Sequence, residues 1–176
     1  MVFARRVIEL MLLRLGPQDM PGDSTTLFGS AAAYCILLFL QVGLIMPAGP
    51  AVLQAVLATG LLALYVRTLL RIRKLPNRYN QTAIALFASG AVLTLIMLAP
   101  THVMAPYLNA IAEASDPQSV PMPPSFVTLA YVALGIWGLA IYSHVYRNAL
   151  DGSLWLGVGA AMAFEVLLLV VFSVLG

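Results

Sequence analysis

Five long apolar runs, separated by short polar breaks, set the plan of this chain: residues 26–46, 51–70, 79–99, 126–146 and 154–175. Each has about the twenty residues that an α-helix needs to cross the roughly 30 Å hydrocarbon of a bilayer. In lipid the backbone has no water to bond to, so such runs must satisfy their own N–H and C=O groups as helices. The pattern predicts an all-α integral membrane helical bundle of five transmembrane helices.

Residues 1–15 follow a different rhythm. Val2, Phe3, Val7, Ile8, Leu10, Met11, Leu12 and Leu15 alternate with Arg5, Arg6, Glu9 and Arg14, which is an amphipathic pattern too short and too charged to span. We expect an amino-terminal interfacial amphipathic helix on the cytoplasmic leaflet, making residues 1–22 one unit and 23–176 the transmembrane domain. Gly16 and Pro17 break that helix, Pro21-Gly22 is a turn pair, and Asp23, Ser24 and Thr25 are good N-cap types for the first span. The turn at residues 47–50 is short enough to make the first two spans antiparallel neighbours, with a re-entrant hairpin as the alternative there. Pro76 stops the second span and Pro100 is expected to end the third. That leaves residues 101–125 as the one long loop, with a short surface helix at 107–114.

Composition agrees, at 61% hydrophobic and only 9% charged residues, against roughly 25% charged in soluble domains. The placement of the charge adds more than its amount. Five of the nine basic residues, Arg67, Arg71, Arg73, Lys74 and Arg78, fall within residues 67–78; Arg5, Arg6, Arg14 and Arg147 complete the set. With the amino terminus inside, five spans put all nine on the cytoplasmic face, as the positive-inside rule requires, and the carboxy terminus outside. These residues form a candidate membrane-surface and docking face for anionic lipids. The expected location is the cytoplasmic (inner) membrane, multi-pass. A net charge of +2 implies no nucleic-acid partner. The single cysteine, Cys35, lies in an apolar run and reads as a small core residue.

Reactive chemistry is sparse. His102 and His144 belong to opposite ends of the bundle and cannot share a metal ion, and there is no HExxH, paired-carboxylate or His/Cys motif. No catalytic residue, metal or cofactor is therefore expected, and the chain is read as a non-enzyme. Asp151-Gly152 reads as a turn; Ser89, Ser143 and His144 read as helix-packing polar residues. Gly159 and Ala163 form a small-xxx-small pair of the kind that lets helix backbones approach in lipid, either within the bundle or against a partner subunit or second copy. Glu165 stands apart as an ionisable residue well inside the last span, where it costs about 2.5 kcal/mol or more unless buried, paired or neutral. By depth its candidate partners are Gln41, Thr59 and Thr94. It is either a protonated hydrogen-bonding group, a proton- or ion-linked site, or a polar contact to another chain.

Two stretches carry a resemblance. NRYNQTAIALFASGAVLTLIMLAP at 77–100 has a polar start with a Gln-Thr pair and a small-residue-containing span ending in proline. IWGLAIYSHVYRNALDGSLWLGVGAAMAFEVLLLVVFSVL at 136–175 has a Trp-containing span, a short polar loop and a final span rich in small residues. In these the chain resembles the Yip family of five-span membrane proteins, known in eukaryotes as interactors of Rab-type GTPases and in bacteria as small proteins of unassigned role. The resemblance implies five spans with an inside-to-outside orientation. Where that family carries a long soluble cytoplasmic segment, this chain has only a brief basic helix. The residues and the resemblance together lead us to expect a non-enzymatic membrane scaffold or accessory subunit of a membrane complex. The alternative is a small proton- or ion-linked transporter or channel component using Glu165.

Overall fold

The computed structural model describes every residue except Met1, Ser115, Pro117, Gln118 and Gly176. Among the described residues all regular structure is helical: α1 (Val2–Met11), α2 (Ser24–Val42), α3 (Ala48–Ile72), α4 (Tyr79–Glu113), α5 (Ser125–Ala149) and α6 (Leu154–Leu175), with 3₁₀ turns at Pro17–Asp19 and Pro76–Arg78. Helices α2 to α6 are long and apolar enough to cross a membrane. The chain is a multi-pass membrane protein of helical-bundle type.

The helices run alternately up and down, and cross-contacts fix their register. Asn80 donates to the Gly22 carbonyl at 2.7 Å and Gln41 donates to Thr101 Oγ1 at 3.1 Å, so α2 and α4 lie parallel. Arg78 at the start of α4 reaches the carbonyls of Asn148 and Ala149 at the end of α5, which makes α4 and α5 antiparallel. Tyr65 of α3 donates to the Ala160 carbonyl of α6 at 2.7 Å. Helix α4 is central: every residue from Thr82 to Ala91 is buried, on all faces of the helix, because the neighbouring helices surround it. All nine basic residues sit toward one end, called here the basic end; Glu113 and Asp116 lie at the other.

Helix α4 departs from expectation. It does not end at Pro100 but runs 35 residues, through Pro100 and Pro106, to Glu113. The surface helix expected at 107–114 is its last stretch. A proline removes one backbone donor and pushes on the preceding turn, but packing holds the helix here. Thr101 is fully buried and takes the Gln41 hydrogen bond one residue past Pro100, and Ala105 is buried one turn further on. The connection to α5 shrinks accordingly to residues 114–124.

Helix α1 is a second departure. It has the expected amphipathic form, yet it is not held by the surface alone, because Val7, Leu10 and Met11 are buried in the core. It crosses α4, with Phe3, Ala4, Val7 and Ile8 toward Ala88, Ala91 and Val92 of α4 and Gly29 and Ala33 of α2. Side chains then tie down the backbone that follows. Trp137 Nε1 donates to the Met11 carbonyl at 3.1 Å, His144 Nε2 lies 3.0 Å from the Leu15 carbonyl, and Gln81 donates to the carbonyls of Gln18 and Met20. Asp23 caps α2 as expected, accepting from Thr26 N and Thr26 Oγ1, both at 2.8 Å. Those bonds favour the ionised carboxylate and hold its pKa below the usual range.

Three helices end at the basic end with one device. Leu13, Lys74 and Asp151 adopt left-handed φ of 61°, 59° and 46° after α1, α3 and α5. Each closure carries the six-residue bond of a Schellman cap: Arg14 N to Glu9 O, Leu75 N to Leu70 O, and Gly152 N to Arg147 O. Asp151-Gly152 is therefore a helix-ending turn.

Candidate functional site: an intramembrane cavity and a basic rim

Glu165 is the twelfth residue of α6, and the wall around it comes from three other helices. A cavity of about 370 Å³ is lined by Tyr34 of α2, Gly90 and Thr94 of α4, Gly138 and Tyr142 of α5, and Glu165 itself. The sequence explains why the space exists. Gly90 has no side chain, so the Tyr34 ring and the Tyr142 hydroxyl meet over the α4 backbone; a Cβ there would lie 2.6 Å from the Tyr142 oxygen and 2.9 Å from Tyr34 Cε2. Gly135 and Gly138 keep the α5 wall flat, and Gly135 has open space around it. Glu165 and Met162 of α6 and Gly135 of α5 are exposed on the bundle surface, so the cavity is open there rather than sealed.

Of the three partners expected for Glu165, only Thr94 shares this cavity. Gln41 is engaged with Thr101, and Thr59 donates back to the Ala55 carbonyl of its own helix at 2.8 Å. Glu165 makes no hydrogen bond to any described residue, and no cationic side chain lines the cavity among the described residues. Tyr34 and Tyr142 escaped the reading of the sequence. The only signal for them was two tyrosines on separate apolar runs, with no spacing rule to connect them to Glu165. The Tyr142 hydroxyl also reaches the Leu86 carbonyl at 3.4 Å. Deeper in the core, Ser143 Oγ and Tyr146 OH are buried with no hydrogen-bond partner among the described residues; Tyr146 packs edge-on to Tyr65, with ring centres 5.9 Å apart.

The sequence leaves Gly159 and Ala163 open between packing within the bundle and contact with a partner subunit or second copy. Both are exposed, and a Cβ on Gly159 would meet nothing within 4 Å. The close contact with α5 is made one helix face away by Gly157, where a Cβ would overlap the Ser143 carbonyl oxygen and lie 2.9 Å from Arg147 Cβ. Ala160, Ala161 and Phe164 continue that buried face.

At the basic end the nine cations divide by what they touch. Arg78 bonds Asp151 Oδ2 at 2.7 Å and the carbonyls of Asn148 and Ala149 at 3.4 and 3.2 Å, while Arg73 reaches the Leu150 carbonyl at 3.2 Å. These two arginines complete the unsatisfied carbonyl end of α5, where positive charge is favourable. The Arg78 guanidinium holds the Asp151 carboxyl below the usual carboxylate range. Arg5 pairs with Glu9 at 2.9 Å. The other six, Arg6, Arg14, Arg67, Arg71, Lys74 and Arg147, are exposed and make no hydrogen bond or ion pair with a described residue. Of the residues assigned from sequence to a docking face, Arg73 and Arg78 thus hold the bundle itself together.

Among the described residues no group of three or more His, Cys, Asp or Glu side chains comes together. His102 lies toward the far end of α4 and His144 near the basic end of α5. No known protein family, curated protein or solved structure matches the chain.

Proposed function

We propose that the protein is a non-enzymatic integral membrane scaffold or accessory subunit, which offers the outer face of α6 to a helix of another subunit or a second copy. The observation that carries this reading is the outward position of Gly159 and Ala163. In lipid there is no hydrophobic drive between helices, so a smooth small-residue face is where backbones can approach and gain van der Waals contact. The six free cations supply a rim that attracts anionic headgroups, each worth about 1 kcal/mol near a charged surface. By the positive-inside rule this rim is the cytoplasmic face of the inner membrane, with the amino terminus inside and the carboxy terminus outside. The resemblance to the Yip family belongs to the same reading, through its five spans.

Mild detergent extraction of the tagged protein tests the subunit role. A second chain or a second copy is expected to come with the wild type and to be lost with Gly159→Leu, whose side chain faces outward and leaves the fold intact. A monodisperse, partner-free wild-type protein refutes it. Orientation is read separately with single cysteines at Asn77 and Glu113 in a Cys35→Ser background: an impermeant reagent should label only position 113 from outside, and labelling at 77 in intact cells overturns the assignment.

One observation favours a second reading, a proton- or ion-linked transport component. Glu165 shares its cavity with the hydroxyl-bearing Tyr34, Thr94 and Tyr142 and has no counter-charge there among the described residues. Proton flux in proteoliposomes that disappears with Glu165→Gln would support it.

A further inference from the structure

The cavity beside Glu165 has features that the subunit role does not use. It is concave, mostly apolar, and carries one carboxyl among a few hydroxyls, which is the usual make-up of a small-molecule site. Its volume, about 370 Å³, is at the lower end of such sites. A partner helix does not fit it: one turn of helix, 5.4 Å long and 10 Å across, already fills about 420 Å³.

The wall chemistry selects among small molecules. A carboxylate in hydrocarbon is costly without a counter-charge, and neither a salt bridge nor a hydrogen bond from the described residues supplies one. The rings of Tyr34, Tyr142 and Phe164 line the same space, and aromatic faces attract cations, more strongly once water is excluded. Leu93, Met97 and Leu168 complete an apolar lining suited to alkyl or aryl groups. The exposed rim residues Gly135 and Met162 lie on two of the helices long and apolar enough to cross a membrane, so a ligand that partitions into the bilayer can reach the cavity.

From these features we infer that the Tyr34–Tyr142–Glu165 cavity binds a lipophilic organic monocation, with the Glu165 carboxylate as counter-ion and the aromatic rings around the charged centre. The inference rests on the second reading above, since it uses the same carboxyl, and it names the class of ligand; it requires binding and not movement across the membrane.

The probe is tetraphenylphosphonium, added to the purified full-length chain in mild detergent and followed by equilibrium binding, with neutral triphenylphosphine oxide as the uncharged control. Saturable binding of one cation per chain is expected, weakened at least tenfold by Glu165→Gln, which keeps the shape and removes the charge. Met162→Trp, at the exposed rim of the cavity, should weaken it too while leaving the packed core untouched, so a folding defect in one variant does not decide the outcome. Arg71→Gln at the distant basic rim should change nothing. The inference is overturned by no saturable binding, by equal affinity in wild type and Glu165→Gln, or by equally tight binding of the neutral control. A second chain that crosslinks from position 165 and displaces the probe also overturns it, because the cavity is then part of a protein interface. Binding without any proton flux in proteoliposomes supports the site and refutes only the transport reading; flux without cation binding does the reverse.

Discussion

Gly157 is the position where the packing of α6 can be tested most sharply. A methyl group added there overlaps the carbonyl oxygen of Ser143 and lies 2.9 and 3.0 Å from Arg147 Cβ and N. The obstacle is mainly backbone, which cannot rotate out of the way as a side-chain end can. Helix α6 must therefore shift outward by about 1 Å, and a gap of that size forfeits up to half of each contact's dispersion energy. The contacts at stake include those of Ala160, Ala161 and Phe164, all buried. Overpacking of this kind costs about 1–3 kcal/mol, and the backbone clash puts Gly157→Ala at the upper end. Gly159→Ala, half a turn away, meets nothing within 4 Å. It should be neutral or stabilising by about 0.5–1 kcal/mol, the usual preference for Ala over Gly within a helix. Thermal unfolding of the two purified variants in one detergent, followed by circular dichroism, gives the comparison. Midpoints that move together, or a Gly157→Ala protein as stable as the wild type, would refute the packing argument.

Other positions give independent checks. Gly90→Ala should destabilise by about 1–3 kcal/mol because its Cβ displaces the Tyr142 hydroxyl, and in a Tyr142→Phe background the penalty should shrink; equal penalties in both backgrounds would rule out that contact as the cause. Leu10 is fully buried, so Leu10→Ala should loosen α1 at a cost of about 2–5 kcal/mol, whereas Arg5, Arg6 and Arg14 changed to Glu should leave it docked. Trp137, bonded to the Met11 carbonyl, reports this through its emission in a Trp155→Phe protein, and an emission shift only in the arginine variant would return α1 to a purely electrostatic anchor. For Asp151 the folded pKa is lowered by Arg78, so its contribution is present above the unfolded value of about 4 and lost as pH falls through the folded one. Wild type should accordingly exceed Asp151→Asn in stability by a constant small margin at neutral pH, and the two should converge on acidification; a margin that grows toward low pH contradicts the pairing.

Read without the structure, the apolar runs are enough for the number of membrane-crossing helices and, within a few residues, for the bounds of α2, α3, α5 and α6. This is because a hydrocarbon solvent leaves a backbone only one way to satisfy itself over twenty residues. The clustering of all nine cations at alternate breaks likewise puts them at one end of an up-and-down bundle, and Asp23 was legible as a cap from its local chemistry. What could not be read is which face of each helix turns inward. A helix that is apolar all round has almost no amphipathic signal, so nothing local distinguished Gly157, which packs, from Gly159, which does not. For the same reason Tyr34 and Tyr142 gave no hint that they converge with Glu165: three residues on three helices meet only through the packing of α4 between them. The prolines misled in a related way. Pro100 and Pro106 are local stop signals, and only the tertiary contacts of Thr101 and Ala105 carry the helix past them. Arg73 and Arg78 read as surface charge until the end of α5 arrives beside them, because an unsatisfied carbonyl terminus becomes a partner only once the fold brings it within 3.4 Å.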